Sequence, residues 1–467
     1  MSRLKQIMLF NIFALALISI ATKCSAEASA MFFDPAPMHD VLGVNRFPIY
    51  KNDKWFLDLH ITPFFQHSSG ARDKNGNKVA EGDRLGMWSI TNMLNYNVIT
   101  TSGIDQITHK TWNEDNFLYM YDLDYSLSYG YWEDSISDIW EPTNEQDGYY
   151  SIAIEYEKIG LRLELDCALA AGFGVCLKGG FVSYKQDPTF TDSTTDSTTG
   201  AYLKAENYPE EGTYLNTAYL TQNLMTEFNR KKLVEDLDLD IDKYYTTALE
   251  DTFIQLYWSH PFDLNDEENN LVATVYPYLS VGTWIPTGKK KDQDKVFSLP
   301  TGNDGHLGIS FEGALNFHFP NMLTLNAGAG ITFFDDQTIE KYRTPNYEKQ
   351  SGIYPWQTTI NRRLGTTWNI NLSIEAKNIV DSLTFYADYV YTKHERDSVT
   401  IESANHPECF LPEKVERESE FKSQTVQAGF LYDLTPNLAF GLAGQTHISG
   451  IRVYKTHTVV GSITFSF

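Results

Sequence analysis

The sequence predicts an all-β fold, a closed antiparallel transmembrane β-barrel of about 14 strands, with about 12 to 16 strands compatible with the pattern. Three observations lead to this prediction. The chain begins with the pattern of a secretory leader, most of its 467 residues alternate between apolar and polar side chains, and its connections divide into a short and a long class. Alternation of period two is the signature of a strand with two different environments.

The first thirty residues have the pattern of a secretory signal peptide. Basic residues precede an apolar run at 7–21, and the small-residue stretch "CSAEASA" follows it. The run is too short for a membrane-spanning helix, which needs ~20 apolar residues. We therefore expect residues 1–26 to be removed, with cleavage after Ala26, Ala28 or Ala30.

The last strand provides the clearest alternation. In "VVGSITFSF" the residues Ile463, Phe465 and Phe467 share one face, and small polar residues occupy the other. The chain ends on the apolar face, which fits a strand whose end lies at a lipid interface. This ending resembles the C-terminal signature of Gram-negative outer-membrane proteins. The resemblance implies that outer-membrane lipid surrounds the barrel and that the barrel-assembly machinery reads these three residues.

The connections suggest a barrel with two unlike rims. Short turns are predicted at "EKIG", "FDLNDEENN", "FPNM", "KNIVDS" and "DLTPN". Long loops are predicted at 185–249, 287–304, 335–365 and 394–422. Outer-membrane barrels have short periplasmic turns and long external loops. We therefore expect a short periplasmic segment at 31–54 and a barrel over 55–467, with the largest external loop at 185–249.

The predicted count of about 14 strands includes four segments from the first half of the chain. Segments 87–99 and 117–131 are each counted as a strand, and 149–158 is separated from 161–184 by the "EKIG" turn. One apolar phase continues from Leu161 to Phe181, so the sequence favours a single long strand there over a hairpin at Ala171-Gly172.

The cysteines do not form a disulfide scaffold. Only Cys167, Cys176 and Cys409 remain after removal of the leader. In a single long strand Cys167 and Cys176 are two free thiols on opposite faces.

The charge of the chain excludes one class of partner and suggests a selectivity. With 37 basic and 61 acidic residues the net charge is −24, which disfavours nucleic acid. The face opposite the apolar set is expected to line the lumen, and its acidic residues favour cations or neutral solutes. The lumen candidates are Asp58, Asp122, Asp124, Glu155, Arg162, Glu164, Asp166, Lys178, Glu312, Glu375, Lys377 and Asp388.

Two local motifs suggest other chemistry. Asp236, Asp238, Asp240 and Asp242 recur at every second position, and such oxygen ligands suit a divalent cation, although a solvated acidic loop explains them as well. The stretch "QTHISG" resembles the His-x-Ser pair of lipid A deacylases. That resemblance would make His447 a base and Ser449 a nucleophile, but Gly450 stands where that family has Asn. The prediction is no catalytic residue and no cofactor.

A further resemblance concerns the centre of the chain. "VYPYLSVGTWIPTGKK" and "LPTGNDGHLGISFEGALNF" resemble the central repeat of the meta-pathway phenol-degradation group, relatives of the long-chain fatty-acid transporters. The resemblance implies passage of hydrophobic compounds. From the residues themselves we expect a porin-like channel for passive diffusion of small solutes. A hydrophobic-compound channel, or a structural or adhesive barrel acting through its loops, is the alternative.

Overall fold

The computed structural model describes residues 56–89, 149–192, 202–203, 215–216, 238–266, 270–320, 323–354, 356–403, 407 and 410–467. Several predictions fall outside these residues. They are the signal peptide and its cleavage sites, the periplasmic segment 31–54, the strand 117–131 with Asp122 and Asp124, the candidate ligand Asp236, and Cys409.

Twelve long antiparallel strands close into a barrel, as the sequence predicts. Each strand pairs with its neighbours along the chain, and the first pairs with both the second and the last. The barrel strands are β1 Phe56–Arg72, β2 Tyr149–Ala168, β3 Phe173–Asp192, β4 Thr252–Ser259, β5 Leu271–Ile285, β6 Gly308–Phe319, β7 Leu323–Phe334, β8 Thr367–Val380, β9 Leu383–His394, β10 Phe421–Thr435, β11 Leu438–Ile451 and β12 Tyr454–Ser466.

The barrel closes with twelve strands rather than the 14 that the alternation favours, and twelve lies within the predicted range. β1 pairs directly with β2 over twelve positions, from Phe56↔Ala168 to His67↔Glu157. β1 pairs with β12 and β2, and β2 pairs with β1 and β3. The barrel therefore closes without any strand from 87–99 or 117–131. Of the segment 87–99, Trp88–Ser89 is described as a strand, and it pairs only with the outer end of β2.

The prediction of one long strand at 161–184 is wrong. A turn at Ala170–Gly172 separates β2 from β3, and Leu169 N–H donates to the Phe173 carbonyl at 2.7 Å. The turn has three residues, so odd positions pair with odd positions, as in Cys167↔Val175. The apolar phase passes through it unchanged. The predicted "EKIG" turn lies instead within β2.

The two rims differ as predicted. β1 begins and β12 ends at one rim, where β6–β7, β8–β9 and β10–β11 are joined by short turns. The opposite rim carries the long connections, except that β11 and β12 are joined there by only Arg452 and Val453. Because outer-membrane barrels place their long loops outside, we call this the outer rim.

The long connections contain structure of their own. The predicted loop 185–249 starts late, because β3 continues to Asp192, and Tyr244–Leu249 pairs with β3 above β4. The remaining strands are Lys78–Val79, Trp88–Ser89, Tyr202–Leu203, Leu215–Asn216, Phe262–Asn265, Asp336–Arg343, Gln357–Arg363 and Ser398–Ser403; Glu81–Leu85 is a 3-10 turn and Pro412–Ser419 an α-helix. We call the described residues of 73–89, 238–249, 286–307, 335–366 and 395–420 together the cap.

The barrel has an apolar outer face and a polar inner face. Outward residues such as Leu163, Leu256, Phe311 and Leu372 are exposed, whereas inward residues such as Gln255, Ser310 and Asn371 are buried. This is the reverse of a soluble domain, and it suits a closed sheet surrounded by hydrocarbon. Within the described part of the chain, no helix is long and apolar enough to cross a membrane.

Candidate functional site

The inward face of the barrel holds most of the predicted lumen residues. Alternation along each strand, fixed by the register with its neighbours, directs them inward. The described candidates on this face are Asp58, Arg162, Glu164, Asp166, Lys178, Glu312, Glu375, Lys377 and Asp388.

Acidic residues meet at the periplasmic end of the lumen. Asp58 on β1 lies directly opposite Asp166 on β2, and both side chains are buried. The Tyr257 hydroxyl donates to Asp166 Oδ1 at 2.7 Å, while Asp58 Oδ1 has no hydrogen-bond partner among the described residues. Like charges in opposite positions repel each other across a sheet. This end of the lumen therefore favours a positive charge.

Other lumen charges are paired within the wall. Glu164 lies 3.3 Å from Lys178, and Glu375 lies 3.5 Å from Lys377. Arg162 Nε donates to Glu250 Oε2 at 2.7 Å. These pairs reduce the net field of the residues concerned.

Glu155 was predicted to line the lumen, and this prediction is wrong. Its side chain is exposed on the outward face of β2, and Lys185 Nζ on β3 donates to it at 2.8 Å. The assumed turn at 157–160 caused the error. Because β2 is continuous through that stretch, Ile154 and Tyr156 are the inward residues there, and Glu155 points away from the lumen.

The wall from β4 to β12 is lined mainly by neutral polar side chains. Asn371, Ser423 and Ser259 are buried, yet each has a side-chain atom with no hydrogen-bond partner among the described residues. Burying a polar group without a partner costs about 1–3 kcal/mol. Such a wall therefore suits water and hydrogen-bonding solutes.

An aromatic cluster occupies part of the inward face of the barrel. It packs inward side chains of β1, β2, β3, β9, β11 and β12 against one another and against Leu299 of the connection 286–307. We call 286–307 the inward loop. The cluster comprises Phe64, Ala71, Tyr156, Val182, Tyr184, Leu299, Tyr386, Ala443, Tyr454 and Val460.

Asp251 holds the inward loop against the barrel wall. Its carboxylate accepts the backbone N–H of Gly288 at 2.8 Å and that of Asn303 at 2.6 Å. A Cβ on Gly302 would lie 2.2 Å from the same carboxylate, so only glycine fits there. Gln186 Nε2 on β3 donates to the Phe297 carbonyl as a further attachment. The inward loop is therefore attached to the barrel wall at several points.

The cap has an apolar core that packs against inward residues at the outer end of β2. Leu239, Ile241 and Phe297 pack with Trp88, and with further residues of β2. The aspartates of the predicted cation motif alternate with these buried residues.

Asp240 lies 3.6 Å from Lys295 rather than in a ligand cluster. Across the described chain, no group of three or more His, Cys, Asp or Glu is arranged to hold a metal ion.

A buried ionic network ties the cap to the outer rim. Arg362 donates to Asp397 Oδ2 through Nε at 2.9 Å and Nη2 at 2.6 Å. His394, the last residue of β9, lies 2.9 Å from Asp397 Oδ1, and the Gly365 N–H donates to the same oxygen at 2.8 Å. Arg362 and His394 hold the pKa of Asp397 well below its usual range, despite burial. The carboxylate is therefore charged at any physiological pH.

The two remaining candidate pairs are separated by the sheet. His447 is buried on the inward side of β11 and Ser449 is exposed, so they do not form a base and nucleophile. Cys167 and Cys176 are free thiols on opposite faces, as predicted.

Sequence reasoning missed the inward loop and the basic residues beneath the cap. The stretch "GKKKDQDK" at 288–295 could have indicated a basic site, because three consecutive lysines follow shortly after a strand. Arg84, Arg362 and Arg452 give no such signal, since they come from distant segments that only the fold brings together.

The closed sheet, its apolar belt and its polar interior define an outer-membrane β-barrel. No family model matches the chain, and no curated protein matches it either.

Similar solved structures include an outer membrane channel from Pseudomonas putida F1, with 6% identity, TM-score 0.46, and coverage of 91% of this chain and 100% of that one. The β domain of the Bordetella autotransporter BrkA has 10% identity, TM-score 0.34, and coverage of 89% and 100%. The CymD monoaromatic hydrocarbon channel has 8% identity, TM-score 0.29, and coverage of 89% and 88%. At such values the function must be inferred from the chain's own residues.

Proposed function

We propose that this barrel is a passive channel for small polar solutes, with a preference for cations and neutral molecules. The observation that carries the proposal is the lumen wall, where neutral hydrogen-bonding side chains surround the acidic pair Asp58 and Asp166. A polar wall lowers the cost of desolvating a polar solute, and its charge selects among ions. The proposal includes no catalytic step and no cofactor.

Planar-bilayer recordings of the refolded protein test this role. We expect small unitary conductance, because the aromatic cluster and the inward loop occupy part of the barrel interior, and a reversal potential that indicates cation preference. Asp58→Asn and Asp166→Asn should each shift that potential toward the non-selective value. Glu155→Gln is the matched control, because it removes the same charge from the outward face. Anion preference, or an equal shift in the control, would refute the proposed selectivity.

The aromatic cluster supports a second candidate function, a channel for hydrophobic compounds. Phe64, Tyr156, Tyr184 and Tyr454 pack against one another on the inward face of the barrel, and an apolar solute would gain contact with such a cluster if it opened toward the lumen. This candidate predicts uptake of monoaromatic compounds by proteoliposomes without measurable ion conductance. Conductance without such uptake would favour the polar channel.

A further inference from the structure

A cavity of about 230 Å³ lies between the cap and the outer end of the barrel. Gln186 and Tyr454 line it from the barrel wall, and the inward loop contributes residues between Lys291 and Asp304. Segments from four other long connections and Arg452 of the short β11–β12 connection also line it. The cavity is therefore bounded by side chains from distant parts of the chain.

Three of the cationic side chains that line this cavity form no ion pair within the described part of the chain. Arg84, Lys291 and Arg452 all line it, and the described residues place no carboxylate oxygen within ion-pair distance of any of them. Arg84 and Arg452 are neighbours, since Arg84 Nη1 donates to the Arg452 carbonyl at 3.5 Å. Arg452 Nη1 donates to another carbonyl, that of Glu420, at 3.1 Å. Both guanidinium groups keep further donors.

The acidic residues of the cavity are already engaged elsewhere. Glu81 accepts hydrogen bonds from β1 and β2. Asp304 accepts the backbone N–H of Lys291 at 2.7 Å. Glu418 lies 2.7 Å from Lys414 in an ion pair. The positive charges of the cavity therefore exceed the negative charge available to balance them.

We propose that this cavity binds small oxyanions, such as a phosphate or the carboxylate group of a small solute. Guanidinium groups bind carboxylate and phosphate through paired hydrogen bonds, and an ammonium group adds a point charge. Enclosure by protein strengthens these interactions relative to an exposed basic patch. The site is distinct from the acidic pair at the periplasmic end, and it does not depend on the direction or selectivity of transport.

Lys291 links the site to pH. Its side chain is exposed within the cavity, and desolvation by the surrounding protein lowers its pKa to about 8. Asp304 raises this pKa, and Arg84, Arg362 and Arg343 lower it. An anion favours the charged ammonium, so binding near pH 8 should take up protons, and affinity should fall as the pH rises above 8.

Isothermal titration calorimetry on the detergent-solubilised full chain tests the proposal. Inorganic phosphate and succinate serve as separate probes, and glucose is the neutral control. We expect saturable binding of at least one anion and none of glucose. Arg84→Gln and Lys291→Gln should each weaken binding by about tenfold or more, which corresponds to about 1.4 kcal/mol. Lys349→Gln is the matched control, because Lys349 is exposed in the cap outside the cavity.

A second measurement separates binding from folding. Titrations near pH 8 in buffers of different ionisation enthalpy report proton uptake, which Lys291→Gln should abolish and Lys349→Gln should retain. The proposal is overturned if neither anion binds the wild type, if glucose binds as well, or if the Lys349 variant loses as much affinity as the Lys291 variant. It also fails if proton uptake persists without Lys291.

Discussion

Leu57 and Phe467 pair through their backbones where the first and last strands meet. The Phe467 N–H donates to the Leu57 carbonyl at 2.9 Å, and the Leu57 N–H donates to the Phe467 carbonyl at 3.4 Å. The last residue of the chain therefore completes the ladder that closes the barrel. Its side chain, 71% exposed, lies on the outward face at the periplasmic rim.

Phe467→Ser should lower the yield of assembled barrel. The substitution removes an aromatic side chain whose burial in an apolar environment contributes about 1.5–3 kcal/mol, and it disrupts the proposed assembly signal formed with Ile463 and Phe465. The measurement is the fraction of heat-modifiable protein on cold SDS gels of outer membranes. Ser466→Ala, on the inward face, should assemble normally. Equal yields for the two variants would contradict the prediction.

Ala171→Gly should stabilise the barrel by about 0.5–1 kcal/mol. Ala171 has φ 60° in the turn between β2 and β3. This conformation costs a residue with a Cβ about 1–2 kcal/mol, and the greater freedom of unfolded glycine offsets part of the gain. Urea unfolding in lipid vesicles gives the comparison. Ala170→Gly, next to it and without positive φ, should not stabilise, and an equal gain there would refute the explanation.

Asp397→Asn should loosen the cap by about 3–5 kcal/mol, the cost of breaking a buried ion pair. Arg362 would lose its main partner, and Gly365 would lose a charged acceptor. Limited proteolysis of the cap in whole cells reports the change. The exposed pair of Asp336 and Arg363 is the control, where Asp336→Asn should change little.

The same network predicts no pH effect in the mildly acidic range. The pKa of Asp397 is lowered in the folded state. Its contribution is therefore complete above the unfolded pKa of about 3.9, and it decreases only as the pH falls through the lower folded value. The ratio of cap proteolysis rates between Asp397→Asn and the wild type should therefore be the same at pH 7 and pH 5. A smaller ratio at pH 5 would contradict the prediction.

Gly302→Ala should increase conductance by displacing the inward loop. The new Cβ would meet the Asp251 carboxylate at 2.2 Å, which breaks the attachment of Gly288 and Asn303. Gly313→Ala is the control, since its Cβ would meet Leu279 at an ordinary 3.5 Å. Single-channel recordings distinguish the two. Unchanged conductance in the Gly302 variant would show that the loop does not limit flow.

The sequence predicted the faces of most strands, because lipid and lumen impose opposite requirements on alternate residues. The phase of Ile463, Phe465 and Phe467 was sufficient for β12, and Glu312 and Asp388 lie inward as expected. The prediction for Glu155 was wrong because one misplaced turn inverted the predicted faces of the whole segment 149–158. Alternation alone does not locate turns inside a continuous strand.

The strand number and the interior were harder to predict. No local signal states that β1 pairs with β2 across the intervening chain, which is a long-range property. The inward loop is equally non-local, since Asp251 recognises it through backbone N–H groups that are present in every loop. Charge pairing within the lumen, such as Glu164 with Lys178, depends on register, which the sequence does not specify.

The three-residue turn between β2 and β3 has a consequence for how that hairpin keeps its alignment. Sliding the turn by one residue would offset the two strands by two positions, and every side chain would still point toward its proper surroundings. Such a slip therefore costs no free energy from apolar side chains placed in the lumen or polar side chains placed in lipid. The penalty must arise at the turn itself, where Gly172 has φ 82° and any Cβ would lie 2.2 Å from the Ser259 carbonyl. Gly172 therefore fixes the register of a hairpin with 20 residues in each strand.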